Sequence, residues 1–184
     1  KGISLSNMIY RHGNQLIAGG ELFPKKRNEI PPPKWHLFPI KKYRYPFAIK
    51  KYNVAMLSDF GCAYLCTFCP LGEVDFSLRP RKFVFDEINE LAASGVRDIF
   101  FYDQTFGVNK KATFELCDFL KVKNIGWTCF SRVDVIDEER LARMADAGCH
   151  TILFGIESSN EEILKQYKKN TVQSQMIAAI QLCK

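Results

Sequence analysis

The chain has 184 residues, of which 47% are hydrophobic and 25% charged, the composition of a globular protein with a single packed core. It contains no run of about eighteen apolar residues and no signal-peptide pattern, so we expect no membrane span and a cytoplasmic protein. The formal net charge is +6, and the modest basic stretch from Lys34 to Lys51 is typical of a solvated surface, which predicts no nucleic-acid partner.

Residues 1–50 differ in composition from the rest of the chain. A weak strand–turn–strand pattern runs from Ile3 to Ile17, and six of the eight prolines follow between residues 24 and 46. Prolines at this density remove backbone donors and prevent helix formation, which predicts an extended connector. We therefore assign residues 1–50 to a connector and the tail of an upstream domain, and residues 51–184 to the next domain. Because the chain starts at Lys1 and stops within a predicted helix, we expect it to be a piece of a longer protein.

From residue 52 onward, strand and helix patterns alternate four times. Short apolar runs predict buried strands at Val54–Leu57, Asp98–Tyr102, Gly126–Phe130 and Thr151–Phe154. Amphipathic segments predict a helix over residues 83–93 and further helices with N-caps at Asn109, Asp137, Ser159 (in a capping box with Glu162) and Thr171. Such alternation predicts an α/β fold with a parallel sheet and right-handed crossovers. The units are fewer than a closed barrel requires, so the pattern predicts a partial TIM-type (β/α) barrel, truncated after about four units.

The segment after the first predicted strand, from Ser58 to Pro70, holds three of the seven cysteines. This position is the ligand-binding end of a parallel α/β sheet. Three thiolates spaced like Cys62, Cys66 and Cys69 can bind one face of a 4Fe–4S cluster and leave its fourth iron without a protein ligand. The alternatives are a structural zinc site, which needs a fourth ligand, and a chance group of buried thiols. The clustering favours a metal site in a reducing compartment over disulfide bonds.

The C-x-x-x-C-x-x-C motif, with the aromatic Phe68 just before its last cysteine, resembles the signature of the radical S-adenosylmethionine superfamily. The resemblance covers the chain from Tyr52 to its end. It implies that Cys62, Cys66 and Cys69 bind a 4Fe–4S cluster and that the amino and carboxylate groups of S-adenosylmethionine chelate the fourth iron. It also implies reductive cleavage to a 5′-deoxyadenosyl radical, an electron donor such as flavodoxin or ferredoxin, and an unknown substrate that the radical modifies. It assigns no catalytic residue.

Finer features resemble the cobalamin-dependent radical enzymes of this superfamily. They are the segments 101–106, 127–134, 147–149 and 154–159 at successive strand ends, together with the Pro-rich connector. They imply cobalamin bound by an upstream domain, whose D-x-H-x-x-G motif is absent from these 184 residues, and methyl transfer or radical cyclisation. Methylthiotransferases, which act on RNA or protein, share a looser version and are the alternative enzyme class.

Two further expectations follow from the same features. A zinc-stabilised binding module is the alternative function of another class, and metal analysis separates it from an iron–sulfur enzyme. Because four units do not complete a barrel, we expect this piece of the protein to bind a cluster but to turn over poorly.

Four further side chains are candidate ligands of S-adenosylmethionine. Asp103 follows the second strand, where the resemblance implies contact with the methionine amino group, although a carboxylate there can also cap the turn. Arg132 follows the third strand and can either hold the methionine carboxylate bidentately or form an ion pair with Asp134. Glu157 follows the fourth strand and is predicted to accept both ribose hydroxyls. Phe68, beside the cluster, is predicted to contact adenine.

Overall fold

The computed structural model describes residues 8–19 and 30–184, which fall into two compact units divided between Ile30 and Pro31. In the first unit, strands β1 (Ile9–His12) and β2 (Gln15–Ala18) pair antiparallel as a hairpin. This confirms the predicted strand–turn–strand for the described part of that segment, whereas Ile3 and Pro24 lie outside the described residues.

The second unit is a layered α/β structure. Its strands are β3 (Asn53–Met56), β4 (Asp59–Phe60), β5 (Ser77–Leu78), β6 (Asp98–Phe101), β7 (Gly126–Ser131) and β8 (Cys149–Phe154). Its helices are α1 (Arg81–Ala93), α2 (Lys110–Lys123), α3 (Glu138–Asp146), α4 (Glu161–Gln166) and α5 (Gln173–Leu182). Strands β3, β6, β7 and β8 form one parallel sheet in that order, which confirms the predicted partial barrel. No helix in the described ranges has the length and apolar character needed to cross a bilayer.

One face of the parallel sheet, the outer face, carries the hydrophobic core. Successive side chains of a strand point to opposite faces, so alternate residues of each strand share this side. The strands contribute Val54, Met56, Ile99, Phe101, Trp127 and Cys129. The helices cover them with Val84, Ile88, Leu91, Leu116, Leu120 and Met144. The Trp127 ring is fully buried, and its Nε1 donates a hydrogen bond to the Ala147 carbonyl at 2.9 Å.

The other face of the sheet, the inner face, is covered at its lower end by the predicted connector. The buried Asp98 carboxylate accepts a hydrogen bond from the Ile49 backbone N–H at 3.0 Å. The Phe47 ring packs edge-on against Phe100 with ring centroids 5.0 Å apart. Residues 31–50 therefore belong to the same compact unit as the sheet.

Two of the predicted helix N-caps are confirmed. The Asn109 side-chain oxygen accepts a hydrogen bond from the Ala112 backbone N–H at 3.0 Å, at the start of α2. The Asp137 carboxylate accepts one from the Arg140 backbone N–H at 2.7 Å, at the start of α3. Each bond satisfies a backbone donor that has no partner within the helix, which explains why both helices begin where the sequence predicts.

The other two predicted N-caps are wrong. Helix α4 is capped by Asn160 rather than Ser159, because the Asn160 side chain reaches the next free backbone N–H groups of the first turn. Helix α5 begins after Val172 rather than Thr171. The Thr171 side chain is buried, and the Gln175 side chain accepts the hydrogen bond from the Val172 backbone N–H at 3.0 Å.

Candidate active site

The carboxyl ends of the four parallel strands surround a cavity of about 310 Å³. The loop after β3 contributes Cys62, Cys66 and Cys69 to its wall, and Arg132 and Glu157 contribute from the ends of β7 and β8. Ligands of open parallel α/β sheets bind at this edge, because every strand ends there and presents its loop to the same space. The fold therefore brings the three cysteines and two of the predicted polar residues together.

The cysteine loop is held in a tight turn by a short strand pair that the sequence did not predict. Strands β4 and β5 pair antiparallel on either side of the loop, and the Cys62 backbone N–H donates to the Val74 carbonyl at 3.1 Å. Gly61 has φ of +72°, and a Cβ there would lie 2.3 Å from the Val74 and Asp75 carbonyl oxygens. Only glycine fits this close backbone approach, so Gly61 fixes the entry to the cysteine motif.

The three motif cysteines differ from the core cysteines in their surroundings. Cys62, Cys66 and Cys69 are free and half-buried along the cavity wall. Cys117 and Cys129 are free but fully buried in the core. Burial raises the pKa of Cys117 to about 12 and raises that of Cys129 well above its ordinary value, so both remain protonated thiols near neutral pH.

The donor set fits an iron–sulfur cluster. In the described ranges, no three His, Cys, Asp or Glu side chains meet around one ion-sized point. A cluster does not need such a point, because each thiolate binds a different iron of the cube. A structural zinc site would require four ligands on one ion. Three free thiols from one loop that open on one cavity are the type and number of donors that such a cluster takes.

Asp103 lies beneath the entry to the cysteine loop rather than on the cavity wall. Its fully buried carboxylate accepts hydrogen bonds from the Ser58 backbone N–H at 2.6 Å, the Ser58 hydroxyl at 2.5 Å and the Asp59 backbone N–H at 3.1 Å. Both oxygens are therefore used within the protein. This contact joins the end of β6 to the end of β3 and fixes the direction in which the loop leaves the sheet.

Asp103 and Asp59 also form a buried pair of neighbouring carboxyl groups. Burial raises the pKa of Asp103 to about 6, although the hydrogen bonds from Ser58 and Asp59 act in the opposite direction. Burial, reinforced by the charge of Asp103, raises the pKa of Asp59 to about 9. Near neutral pH the two carboxyl groups therefore hold one proton between them, and the surrounding donors stabilise the remaining negative charge.

Glu157 is presented to the cavity by an unusual backbone and a buried lysine. Its φ is +67°, and its carboxylate accepts a hydrogen bond from Lys169 Nζ at 3.0 Å. The Lys169 side chain is only 5% exposed, and Gly155 leaves the space in which this ion pair lies. Lys169 was not identified from the sequence, because a lysine beside another lysine in a polar turn has no local signature of burial.

Phe68 lies on the cavity wall with about half of its side chain exposed. Its ring packs edge-on against Tyr167, with centroids 5.3 Å apart, and the neighbouring Thr67 backbone N–H donates to the Tyr167 carbonyl at 3.0 Å. The turn after α4 thus supports the cysteine loop and leaves one side of the Phe68 ring open to the cavity.

Arg132 forms the ion pair with Asp134 that was one of its two predicted alternatives. Its Nε and Nη2 donate to the two Asp134 oxygens at 2.9 and 2.7 Å. Its Nη1 lies 3.6 Å from Cys66 Sγ, and the guanidinium stacks 3.8 Å from the centroid of the Tyr64 ring. The bidentate face of Arg132 is therefore already occupied by Asp134.

A larger cavity, of about 560 Å³, lies between α3, β8 and α5 at the far edge of the sheet. Its wall is mainly aliphatic and includes Leu141, Met144, Ile152 and Ile180. We place the candidate active site in the smaller cavity, because that is where the strand carboxyl ends, the motif thiols and the charged side chains meet.

The family model of the Radical SAM superfamily matches residues 59–184, and this match shows the family of the chain. The match begins just before the cysteine loop and runs through the parallel sheet to the last helix. The chain therefore belongs to the radical S-adenosylmethionine superfamily, whose members use a 4Fe–4S cluster and S-adenosylmethionine. This membership confirms the resemblance that the cysteine motif predicted and decides against a zinc-stabilised binding module.

Curated relatives include methyltransferases and a cyclase. An uncharacterised methyltransferase of Pyrococcus horikoshii is 33% identical over 169 residues, which are 85% of this chain and 35% of the relative. The anaerobic magnesium-protoporphyrin IX monomethyl ester cyclase of Synechocystis is 32% identical over 157 residues, which are 80% of this chain and 31% of the relative. The chain thus spans about a third of the length of these relatives.

Solved structures show the same fold. The radical S-adenosylmethionine methyltransferase TsrM of Kitasatospora setae, solved with tryptophan and an S-adenosylmethionine analogue, superposes with a TM-score of 0.63 at 20% identity, covering 71% of this chain and 28% of TsrM. The cobalamin-dependent radical enzyme OxsB, solved with aqua-cobalamin and S-adenosylmethionine, gives 0.61 at 24% identity, covering 70% of this chain and 22% of OxsB. At these identities the comparison establishes the fold.

Proposed function

We propose that this protein is a radical enzyme in which Cys62, Cys66 and Cys69 hold a 4Fe–4S cluster. The observation that carries the proposal is the position of three free thiols on one cavity wall at the carboxyl end of the sheet. A cluster bound there would supply the electron for cleavage of S-adenosylmethionine to methionine and a 5′-deoxyadenosyl radical. The protein then contributes binding, orientation and exclusion of water.

The residues around the cavity have distinct proposed roles. The Phe68 ring, open on one side, packs against adenine. Glu157 accepts the ribose hydroxyls, and Lys169 holds its carboxylate in place through the 3.0 Å ion pair. Asp103, buried behind the loop, positions the Ser58–Asp59 segment instead of contacting the methionine amino group, because its oxygens already accept three hydrogen bonds.

The overall reaction we propose is cobalamin-dependent methyl transfer or radical cyclisation on a substrate still to be identified. Support comes from relatives named as a methyltransferase and a cyclase, and from neighbours solved with cobalamin. Cobalamin would be held by an upstream domain, with residues 1–50 as the tail and connector. An electron donor such as flavodoxin or ferredoxin would reduce the cluster in the cytoplasm, where thiols stay reduced.

A methylthiotransferase reaction is the second candidate. A relative named as a putative methylthiotransferase of Methanocaldococcus jannaschii is 28% identical over 192 residues and covers 96% of this chain and 41% of its own length. The two reactions differ in what the product gains, because methyl transfer adds one carbon whereas methylthio transfer adds a carbon and a sulfur.

The experiment is a cleavage assay on the anaerobically reconstituted protein at its natural full length. With a chemical reductant and S-adenosylmethionine, we expect 5′-deoxyadenosine and methionine in equal amounts, and visible absorption of bound cobalamin in the purified protein. Reconstituted protein that contains iron and sulfide but forms no 5′-deoxyadenosine would contradict the proposed cleavage. Protein that forms 5′-deoxyadenosine without binding cobalamin would favour the methylthiotransferase.

A further inference from the structure

Arg132 is the one cation that the described structure places against a motif cysteine. Its Nη1 donates toward Cys66 Sγ at 3.6 Å, within the range for a hydrogen bond to sulfur. The side chain is 7% exposed, so water competes weakly for this donor. The contact spans 66 positions of sequence and connects the end of β7 to the middle of the cysteine loop.

Four separate contacts fix the guanidinium in this position. Asp134 accepts from Nε and Nη2, and the Lys169 backbone carbonyl accepts from Nη2 at 2.7 Å. The guanidinium carbon lies 3.8 Å from the centroid of the Tyr64 ring, a close cation–π contact from the cysteine loop itself. With these donors used, Nη1 is the part of the guanidinium that faces the sulfur.

The arrangement argues against a carboxylate of S-adenosylmethionine as the main partner of Arg132. Bidentate binding of a carboxylate needs two adjacent N–H groups, and Asp134 already occupies the Nε–Nη2 pair. A ligand carboxylate would have to displace Asp134 from a side chain that is largely buried. The sulfur of Cys66, in contrast, is already within reach.

We propose that Arg132 is a positioning residue that donates a hydrogen bond to the Cys66 thiolate of the bound cluster and thereby raises the reduction potential of that cluster. This rests on the proposed function, because it requires Cys66 to be a cluster ligand. Reduction adds negative charge that spreads onto the cluster sulfurs, so a donor aimed at one of them stabilises the reduced state more than the oxidised state. Asp134 partly offsets this effect, because its carboxylate lies against the same guanidinium.

The test is redox potentiometry of the reconstituted full-length protein, followed by electron paramagnetic resonance without S-adenosylmethionine. We expect Arg132→Gln to lower the midpoint. Poised at the wild-type midpoint, its ratio of reduced to oxidised cluster should fall about tenfold, which is about 59 mV for a one-electron couple. The matched control is Arg140→Gln, since Arg140 also forms an ion pair with an aspartate, Asp137, but lies on α3 away from the cysteines. Its midpoint should equal that of the wild type.

The variant Asp134→Asn separates tuning from simple structural support. Removal of the offsetting carboxylate should raise the midpoint, whereas Arg132→Gln lowers it, although both break the same ion pair. Shifts in the same direction, or unchanged midpoints in variants that hold a full cluster, would overturn the proposal. If Arg132→Gln prevents cluster assembly, the direction of the Asp134→Asn shift decides alone. If the wild type assembles no cluster at all, the proposed function fails together with this inference. Unchanged midpoints in variants that hold a full cluster overturn this inference alone, so the two failures are distinguishable.

Discussion

The two faces of the parallel sheet show how one set of strands serves two purposes. On the outer face, Trp127, Phe101 and Ile99 are fully buried under helices. On the inner face, Tyr102 is about half exposed, and Asp98 accepts hydrogen bonds at the lower end. Because neighbouring residues in a strand alternate between these faces, stability and chemistry are encoded in alternate positions of the same segments. Substitutions on the outer face should therefore reduce stability, whereas substitutions on the inner face should mainly affect the chemistry.

The largest expected effect is the loss of the cluster. Replacement of Cys62, Cys66 and Cys69 by Ala should reduce iron and sulfide to background and abolish formation of 5′-deoxyadenosine, because no thiolates remain on the cavity wall. Their half-buried positions predict a change in the unfolding free energy of the metal-free protein within about 0.5 kcal/mol.

The matched control for this triple variant is Cys129→Ala on the outer face. It should keep full iron content and lose about 1 kcal/mol of stability, because it leaves a small cavity in the core. Metal analysis and urea unfolding measure both quantities. A triple variant that retains stoichiometric iron would show that the cluster ligands lie elsewhere.

The next largest effect concerns stability alone. Trp127→Ala removes the largest fully buried side chain of the outer face and should cost about 3–5 kcal/mol of unfolding free energy. Tyr102→Ala, on the inner face, should cost less than about 1 kcal/mol, because the ring is 49% exposed. Urea unfolding of the two variants gives the comparison. Equal losses would mean that the inner face contributes to the core as much as the outer face does.

A smaller effect is expected in the binding of S-adenosylmethionine. Lys169→Met keeps the apolar part of the buried side chain but removes the ion pair that orients Glu157. We expect affinity for S-adenosylmethionine to fall about tenfold, equivalent to ~1.4 kcal/mol. Equilibrium dialysis of the reconstituted protein measures it. Lys165→Met, on the exposed side of α4, is the control and should bind S-adenosylmethionine like the wild type. Unchanged affinity in Lys169→Met would show that Lys169 takes no part in binding S-adenosylmethionine.

The last expected effect is a pH dependence of stability that arises beneath the cysteine loop. The pKa of Asp59 in the folded protein is about 9, against about 4 in an unfolded chain. Between these values the folded state holds a proton that the unfolded state has released, so the unfolding free energy should fall as the pH rises through this window. Asp103 and Arg81 are the charged neighbours of this group.

The comparison of Asp59→Asn with the wild type measures this effect. Urea unfolding at about pH 6 and at about pH 9 should show a smaller loss of stability in the variant, because the amide has no proton to release. The same loss in both proteins would show that Asp59 is not the group responsible.

Much of the fold could be predicted because it is encoded locally. The apolar runs at Val54–Leu57 and Asp98–Tyr102 mark two of the buried strands, and Asn109 and Asp137 mark the starts of two helices. The cysteine motif is also local, so its place after the first strand predicts where the site lies. The strand pair β4–β5 was missed because two residues per strand are too short for any periodic pattern.

The finer structure of the site depends on contacts between distant segments. Glu157 and Lys169 meet only because α4 returns the chain to the cavity, and Arg132 reaches Cys66 across 66 positions. The packing of residues 31–50 depends on Asp98, whose carboxylate accepts hydrogen bonds from two backbone N–H groups of the connector. None of these partners is specified by spacing along the chain, so only the folded structure brings them together.

The proposed chemistry requires that S-adenosylmethionine bind to a cluster held by the three motif cysteines. Electron paramagnetic resonance of the reduced, reconstituted protein, recorded with and without S-adenosylmethionine, tests it most directly. We expect a 4Fe–4S signal whose shape changes when S-adenosylmethionine is added, because the ligand coordinates the iron that has no thiolate. A signal unchanged by S-adenosylmethionine, or protein that binds stoichiometric zinc and forms no cluster, would contradict it.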